Sequence, residues 1–152
     1  MDILGNLSGS FWLQVGIAVL CGGIIGLERQ IRGKPAGIRT SILICLGTQV
    51  FVHLSSGFGG ESADPTRVLG QVVTGIGFLG AGVIVARGEL VTGVTSAAVV
   101  WVLAAIGATI GLGHFVEAIA LSLVTVAVLA GVRLLEEMFG LLRSGSDEPH
   151  SR

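Results

Sequence analysis

The chain has 152 residues, of which 51% are hydrophobic and only 12% are charged, with a formal net charge of −1. Soluble domains carry roughly twice that share of charged residues, so the composition excludes an ordinary soluble globular domain. The near-zero net charge also argues against a general attraction to nucleic acid. We therefore predict an integral membrane protein that has the lipid bilayer as its immediate partner.

Five apolar segments follow one another along the chain, each near the roughly 20 residues needed to span hydrocarbon. In chain order they cover residues 8–27, 38–56, 68–86, 92–112 and 115–139. Their apolar residues run continuously and do not alternate, which excludes barrel strands and leaves helices. The sequence therefore predicts an all-α membrane protein, with five transmembrane helices over residues 1–140 and a disordered cytoplasmic tail over 141–152.

Basic residues indicate the orientation of these segments. The first ten residues contain no Lys or Arg, so they lack the basic start of a secretory signal, and we expect the first segment to be retained. With the N-terminus outside, only Arg67 of the nine basic residues lies outside, and the other eight face the cytoplasm. The positive-inside rule then places the C-terminus in the cytoplasm.

Glycine dominates the predicted packing, with 25 copies. Small residues let helix backbones approach closely in lipid, so the GxxxG pairs Gly22/Gly26 and Gly107/Gly111 predict helix-packing faces and are compatible with a homodimer. The third segment adds further predicted packing positions at Gly75, Gly77, Gly80 and Gly82. We expect this segment at the centre of the bundle; a broken helix at a transport site is the alternative.

Two stretches, residues 23–41 and 82–96, share an outline. Each has an apolar helix end, a charged turn, a glycine followed by polar residues, and then a new apolar segment. We interpret them as a duplicated hairpin in parallel orientation. Chance similarity between glycine-rich segments is the alternative.

Polar chemistry is concentrated in residues 26–40, which hold four of the nine Lys and Arg residues. Glu28 precedes Arg32 at the i,i+4 spacing of a helical ion pair. Hydroxyls at Thr95 and Ser96 can satisfy free N–H groups at the start of the fourth helix. The predicted functional cluster comprises Glu28, Arg29, Arg39, Thr40 and Thr95. It would form an anion-attracting corner; the alternative is that these groups only pair with one another at the interface.

Other polar residues indicate no chemistry. Cys21 and Cys45 lie within predicted helices, where we expect packing rather than a disulfide. Glu61 and Asp64 fall in an outer loop, and two acids do not make a magnesium cage, so the metal site is left unassigned. Without a catalytic motif we predict no enzyme and no cofactor.

Three ordered blocks, GLERQIRGKPAGIRT, RVLGQVVTGIGFLGAGVIV and VTGVTSAAVVWVLAAIGATIGLG, resemble the signature of the MgtC/SapB family of bacterial inner-membrane proteins. The resemblance covers residues 16–138. Its pattern falls on Gly26, Glu28, Arg29, Gly37, Arg39 and Thr40, then Gln71, Gly75, Gly77, Phe78, Gly80, Ala81 and Gly82, then Gly93, Thr95, Ala97, Ala98 and Trp101. Longer members carry a soluble cytoplasmic domain after the last span, so this chain resembles a short form, and some virulence-associated members have Asn in place of Thr95.

The resemblance implies a multi-pass protein of the bacterial inner membrane that acts in growth under magnesium limitation and, in some pathogens, in survival inside host cells. Founding members were named as magnesium transporters, whereas the family is also linked to restraint of the F-type ATP synthase and to phosphate control. Two functions follow: a regulatory protein that binds other membrane proteins, and a transporter or channel for magnesium or another ion. A hydrated divalent cation needs several oxygen ligands, and the predicted spans offer few acids, which favours regulation.

Overall fold

The computed structural model describes residues 9–57, 65–88 and 90–144 of the chain. These residues form five helices and one β-hairpin. In chain order the elements are α1 (Gly9–Ile31), α2 (Ile38–Gly57), α3 (Pro65–Gly82), β1 (Val85–Arg87), β2 (Leu90–Thr92), α4 (Val94–Gly111) and α5 (Phe115–Ser144). The predicted acids Glu61 and Asp64 lie outside the described residues, as does 145–152 of the predicted tail.

Four helices are long and apolar enough to cross a membrane, namely α1, α2, α4 and α5, so the chain is a multi-pass membrane protein. Helix α3 does not reach that limit, because its first two turns contain Pro65, Arg67 and Gln71. The prediction of a third span over 68–86 is wrong at its end, since the helix stops at Gly82 and a strand follows. The five-span count and the outside N-terminus stay predictions.

A short antiparallel hairpin connects α3 to α4. Its register pairs Val85 with Thr92 and Arg87 with Leu90. Gly88 adopts a φ of 61° at the turn, in the left-handed region that glycine enters without steric cost. The connection from α1 to α2, residues 32–37, contains no strand. The two charged turns therefore differ in conformation, and the proposed duplication does not extend to them.

Helix α4 occupies the centre of the bundle. Its buried residues include Val100, Leu103 and Ile106, and they pack with buried residues of α1, α2, α3 and α5 in one core. Helix α3 lies at the periphery, where only Ile76 and Gly80 are buried among its described side chains. The predicted central position of the third segment is thus wrong. Abundant glycine made α3 resemble a central helix, but at four of its five glycines no described atom lies within 4 Å of an added Cβ.

Helix α2 packs between α1 and α4, and it contacts each of them at a GxxxG pair. A Cβ atom added at Gly26 would lie 2.6 Å from the Cα of Ile38, and one at Gly107 would lie 2.5 Å from the Cys45 carbonyl oxygen. A Cβ atom added at Gly22 would lie 2.8 Å from the Cα of Ile42, and one added at Gly111 would lie 2.7 Å from the Cβ of Val52. Both pairs therefore pack within the chain.

The other predicted packing glycines lie on α3. A Cβ atom at Gly80 would be in ordinary contact with the Ala97 carbonyl oxygen, at 3.7 Å. At Gly75, Gly77 and Gly82 no described atom lies within 4 Å of such a Cβ. Within one chain, the structure does not bring these three positions into a helix–helix contact.

Few polar side chains enter the core. Gln49 of α2 donates a hydrogen bond from Nε2 to Oε1 of Gln14 in α1 at 2.8 Å, and both residues are buried. Cys45 donates from Sγ to the Leu103 carbonyl oxygen at 3.2 Å. Cys21 and Cys45 are both free and buried, which confirms their predicted packing role. The intramembrane polar contacts therefore tie α2 to both neighbours.

Candidate functional site

The helical period of α1 places a charged residue on its core-facing side. The buried residues of this helix are Gln14, Ala18, Cys21, Gly22, Ile25, Gly26 and Arg29. These residues recur every three or four positions, with adjacent pairs at Cys21/Gly22 and Ile25/Gly26, so they form a single stripe whose last member is Arg29. Arg29 therefore faces the bundle because of its position in the period, although it lies in the final turn of α1.

Arg29 meets a hydroxyl of α4. Its Nη2 donates a hydrogen bond to Oγ of Ser96 at 2.7 Å, and the exposed fractions are 4% for Arg29 and 2% for Ser96. A buried cation needs such a partner, because removal from water without one is costly. The predicted capping of α4 by a hydroxyl is wrong: Gly93 is the N-cap residue and no side-chain hydrogen bond caps the helix. Ser96 is used by Arg29 instead.

Glu28 lies beside Arg29 and pairs with the next basic residue along the helix. Its Oε1 is 2.5 Å from Nε of Arg32, which confirms the predicted i,i+4 ion pair, and its Oε2 is 3.9 Å from Nη1 of Arg29. The Glu28 side chain is only 9% exposed. The contact with Arg32 is close but lacks hydrogen-bond geometry, and neither Glu28 oxygen accepts a hydrogen bond within the described part of the chain.

These residues line a cavity of about 910 Å³ at the end of the bundle where the β-hairpin lies. We call this the hairpin cavity. Its described lining residues are Glu28, Arg29, Arg32, Gly33, Lys34, Pro35, Val83, Val85, Val91, Thr92, Gly93, Val94, Thr95, Ser96, Val128, Leu129, Val132 and Arg133. Four of them are cationic and one is acidic, a difference of three positive charges. The cavity therefore favours anions and disfavours a free divalent cation.

The structure brings together only part of the predicted functional cluster. Glu28, Arg29 and Thr95 line the hairpin cavity. Arg39 and Thr40 do not: both are exposed at the start of α2, and Thr40 lines a different cavity.

Sequence patterns missed Ser96, Arg32, Lys34 and Arg133 as members of the site. Ser96 had a usable signal, because it shares the buried stripe of α4 with Val100, Leu103 and Gly107 at steps of four, three and four residues. No sequence signal identified Arg133, because only the packing of α5 against the other helices brings this residue to the cavity.

A second cavity, of about 890 Å³, separates α2 from α3. We call it the α2–α3 groove. Its lining residues are Thr40, Leu43, Ile44, Gly47, Thr48, Phe51, Leu54, Ser55, Val68, Gln71, Val72, Gly75, Ile76 and Leu79. None of these is charged, and no described atom would contact a Cβ added at Gly47 or Gly75. The groove therefore has an uncharged, largely apolar lining. At Gly47 and Gly75 the backbone itself forms its surface, because no side chain covers it.

The described residues hold no group of three or more His, Cys, Asp or Glu side chains close enough to bind one metal ion. Glu28, the acid nearest the core, is surrounded by arginines rather than by further oxygen ligands.

Comparison with known proteins identifies the family. The MgtC family model matches residues 15–138. The chain is 43% identical over 134 residues to Protein MgtC of Brucella abortus (strain 2308), covering 87% of this chain and 56% of that protein. It is 44% identical over 120 residues to Protein MgtC of Salmonella typhimurium (strain LT2), covering 79% and 50%. It is 42% identical over 130 residues to the Escherichia coli (strain K12) protein named "Putative magnesium transporter YhiD", covering 81% and 60%.

No solved structure matches the chain significantly. The chain spans about half to three fifths of the length of these curated relatives. Because the family model covers most of the sequence and the identities exceed 40%, the chain belongs to the MgtC family of membrane proteins.

Proposed function

We propose that this protein is a non-enzymatic regulator of the bacterial inner membrane, which adapts cells to magnesium limitation by binding and modulating another membrane protein. Family membership supports the magnesium context, since one relative carries magnesium in its name. This role needs no cofactor. In it the membrane-spanning part binds a partner and neither conducts ions nor catalyses a reaction.

The α2–α3 groove is the observation that carries this proposal. Its walls are apolar and its floor includes Gly47 and Gly75, where no side chain intervenes between the groove and the backbone. Helices in lipid associate through such small-residue surfaces, because close backbone approach gains dispersion contacts and weak hydrogen bonds. Thr48 and Gln71 also line the groove and can hydrogen-bond to a partner helix. The groove therefore suits a transmembrane helix of another protein.

The family resemblance names the first partner to test, the F-type ATP synthase. Expression of this protein should lower ATP-driven proton pumping in inverted membrane vesicles, and the synthase membrane subunits should co-purify with it. Substitution Gly75→Leu fills the groove and should abolish both effects. Gly16→Leu is the matched control, because Gly16 is an equally open glycine on α1 outside the groove. Unchanged pumping together with no co-purification would reject this partner.

Ion transport is the second candidate function, supported by the printed name of the E. coli relative. The cationic lining of the hairpin cavity opposes it, because a net positive lining disfavours the entry of a divalent cation there. Purified protein in liposomes that enclose a magnesium-sensitive dye tests the point directly. Rapid magnesium uptake that Glu28→Ala abolishes would overturn the regulatory proposal in favour of transport.

A further inference from the structure

We propose that the hairpin cavity binds an amine-bearing glycerophospholipid such as phosphatidylethanolamine. In this arrangement the lipid phosphate lies against Arg32 and Lys34, the ammonium group lies against Glu28, and one acyl chain lies along the aliphatic wall. The site is distinct from the α2–α3 groove, and it would stand whether or not a partner helix binds there.

The charge of the cavity selects a phosphate. Four of its described lining residues are cationic, and two of these, Arg32 and Lys34, lie in the connection that follows α1. Arginine and lysine beside the end of a membrane helix lie at the level of the lipid headgroups, where they attract phosphate. The Nε atom of Arg29, within the cavity wall, is buried without a hydrogen-bond partner among described residues. The cationic side of the cavity therefore retains unused donor capacity.

Glu28 adds a second, independent requirement. Its side chain is only 9% exposed, both carboxylate oxygens are buried, and neither oxygen accepts a hydrogen bond from the described residues. A phosphate alone would be repelled by this group. A primary ammonium, in contrast, carries three N–H donors and a positive charge, and can replace the Arg32 contact while Arg32 turns to the phosphate. The combination of one buried acid with several cations matches a zwitterion.

The remaining wall is aliphatic and belongs to three elements. Val91 of the hairpin, Val94 of α4, and Val128 and Val132 of α5 are each more than half exposed in the isolated chain. They border the same cavity as the charged residues. A free headgroup would leave this wall uncovered, whereas an acyl chain covers it. The cavity thus matches an intact lipid better than free phosphate or phosphoethanolamine.

Native mass spectrometry of the detergent-purified full chain tests the proposal. The probes are phosphatidylethanolamine, phosphatidylglycerol and phosphatidylcholine with identical acyl chains, together with free phosphoethanolamine. Phosphatidylethanolamine should bind about tenfold more tightly than phosphatidylcholine, since only the ethanolamine headgroup donates charged N–H groups to Glu28, whereas Glu28→Gln should not weaken the binding of phosphatidylglycerol. Free phosphoethanolamine should compete only weakly.

Three variants locate the site. Glu28→Gln should remove the preference for phosphatidylethanolamine over phosphatidylcholine while retaining phospholipid binding. Lys34→Gln should lower the affinity for all three lipids several-fold. Arg39→Gln is the matched control, because Arg39 is an exposed cation near the same helix ends that does not line the cavity. Its binding should equal that of the unsubstituted chain, and circular dichroism confirms the fold of each variant.

Several outcomes would overturn the proposal. Equal affinity for the three lipids would show that Glu28 does not recognise the ammonium group. If Arg39→Gln lowered lipid affinity as much as Lys34→Gln, general surface charge would explain the binding and a specific site would not be needed. Competition by free phosphoethanolamine at lipid-like concentrations would identify a small-anion site in place of a lipid site.

Discussion

Arg29, in the last turn of α1, donates a hydrogen bond from Nη2 to Oγ of Ser96, 2.7 Å away in the first turn of α4. This contact joins two residues that are 67 positions apart in the sequence, and both line the hairpin cavity. It also orients Arg29, whose Nη1 lies 3.9 Å from the Glu28 carboxylate. One buried hydrogen bond therefore links α1 to α4 and holds a cationic side chain in the wall of the cavity.

Substitution Ser96→Ala should destabilise the protein. The change leaves a buried guanidinium donor without its acceptor, and hydrogen bonds to charged groups contribute about 1.5–3 kcal/mol to the free energy of unfolding. Unfolding by sodium dodecyl sulfate in mixed micelles, followed by circular dichroism, measures the loss. Thr95→Ala is the control, since Thr95 is exposed at the preceding position of the same helix and should change stability by less than about 0.5 kcal/mol. Equal effects of the two substitutions would contradict a structural role for the Arg29–Ser96 bond.

Gly107→Ala and Gly77→Ala should have opposite effects on stability. A Cβ at Gly107 would lie 2.5 Å from the Cys45 carbonyl oxygen, so α2 and α4 must separate, at a cost of about 1–3 kcal/mol. At Gly77 no described atom lies within 4 Å, and alanine should gain up to about 1 kcal/mol from its higher helix propensity. The same unfolding measurement compares the two. A destabilising Gly77→Ala would indicate that α3 packs against a further helix, as in an oligomer.

The contrast between these glycines explains what the sequence could predict. The GxxxG spacing at Gly22/Gly26 and Gly107/Gly111 identified positions where α1 and α4 approach α2, because spacing alone places both residues on one helix face. The glycines of α3 share that composition, yet the packed neighbours of a helix depend on tertiary structure. Composition therefore indicated a central helix, whereas α4 occupies the centre.

The candidate site was predictable in part for a related reason. Glu28 and Arg29 stand out because residues 26–40 hold four of the nine Lys and Arg residues, and Arg29 also continues the buried stripe of α1. The predicted cluster contains Thr95 and not Ser96, although the buried period of α4 selects Ser96. Arg39 and Arg32 could not be separated by sequence, since only the path of the connection places one at the cavity and the other outside it.

Gln14 and Gln49 should show strong coupling in a double-mutant cycle. Gln49 Nε2 donates to Gln14 Oε1 at 2.8 Å in the core, so Gln14→Leu leaves a buried amide without its acceptor. We expect that single substitution to cost about 1–3 kcal/mol. The double substitution Gln14→Leu with Gln49→Leu removes both polar groups and should recover part of the loss. Interhelical hydrogen bonds in membranes contribute about 0.6 kcal/mol on average and up to about 1.7, which sets the expected coupling. Additive free energies of unfolding would mean that the two amides act independently.

Gly93 should be the least replaceable glycine at the end of the bundle that carries the hairpin. It has a φ of 89° and precedes α4, and a Cβ there would lie 2.0 Å from the Val83 carbonyl oxygen. Gly93→Ala therefore combines left-handed backbone strain with a clash against the end of α3, and we expect a loss of about 3 kcal/mol or more. Gly88→Ala separates the two causes, because Gly88 also has a positive φ, 61°, but no described atom lies within 4 Å of its added Cβ. That control should lose only about 1–2 kcal/mol, the cost of the left-handed conformation alone.

Because Gly93 lines the hairpin cavity, its substitution should also lower phospholipid binding, whereas Gly88→Ala should not. Equal losses of stability in the two variants would show that the hairpin can move away from α4, and that the junction does not hold the cavity in shape.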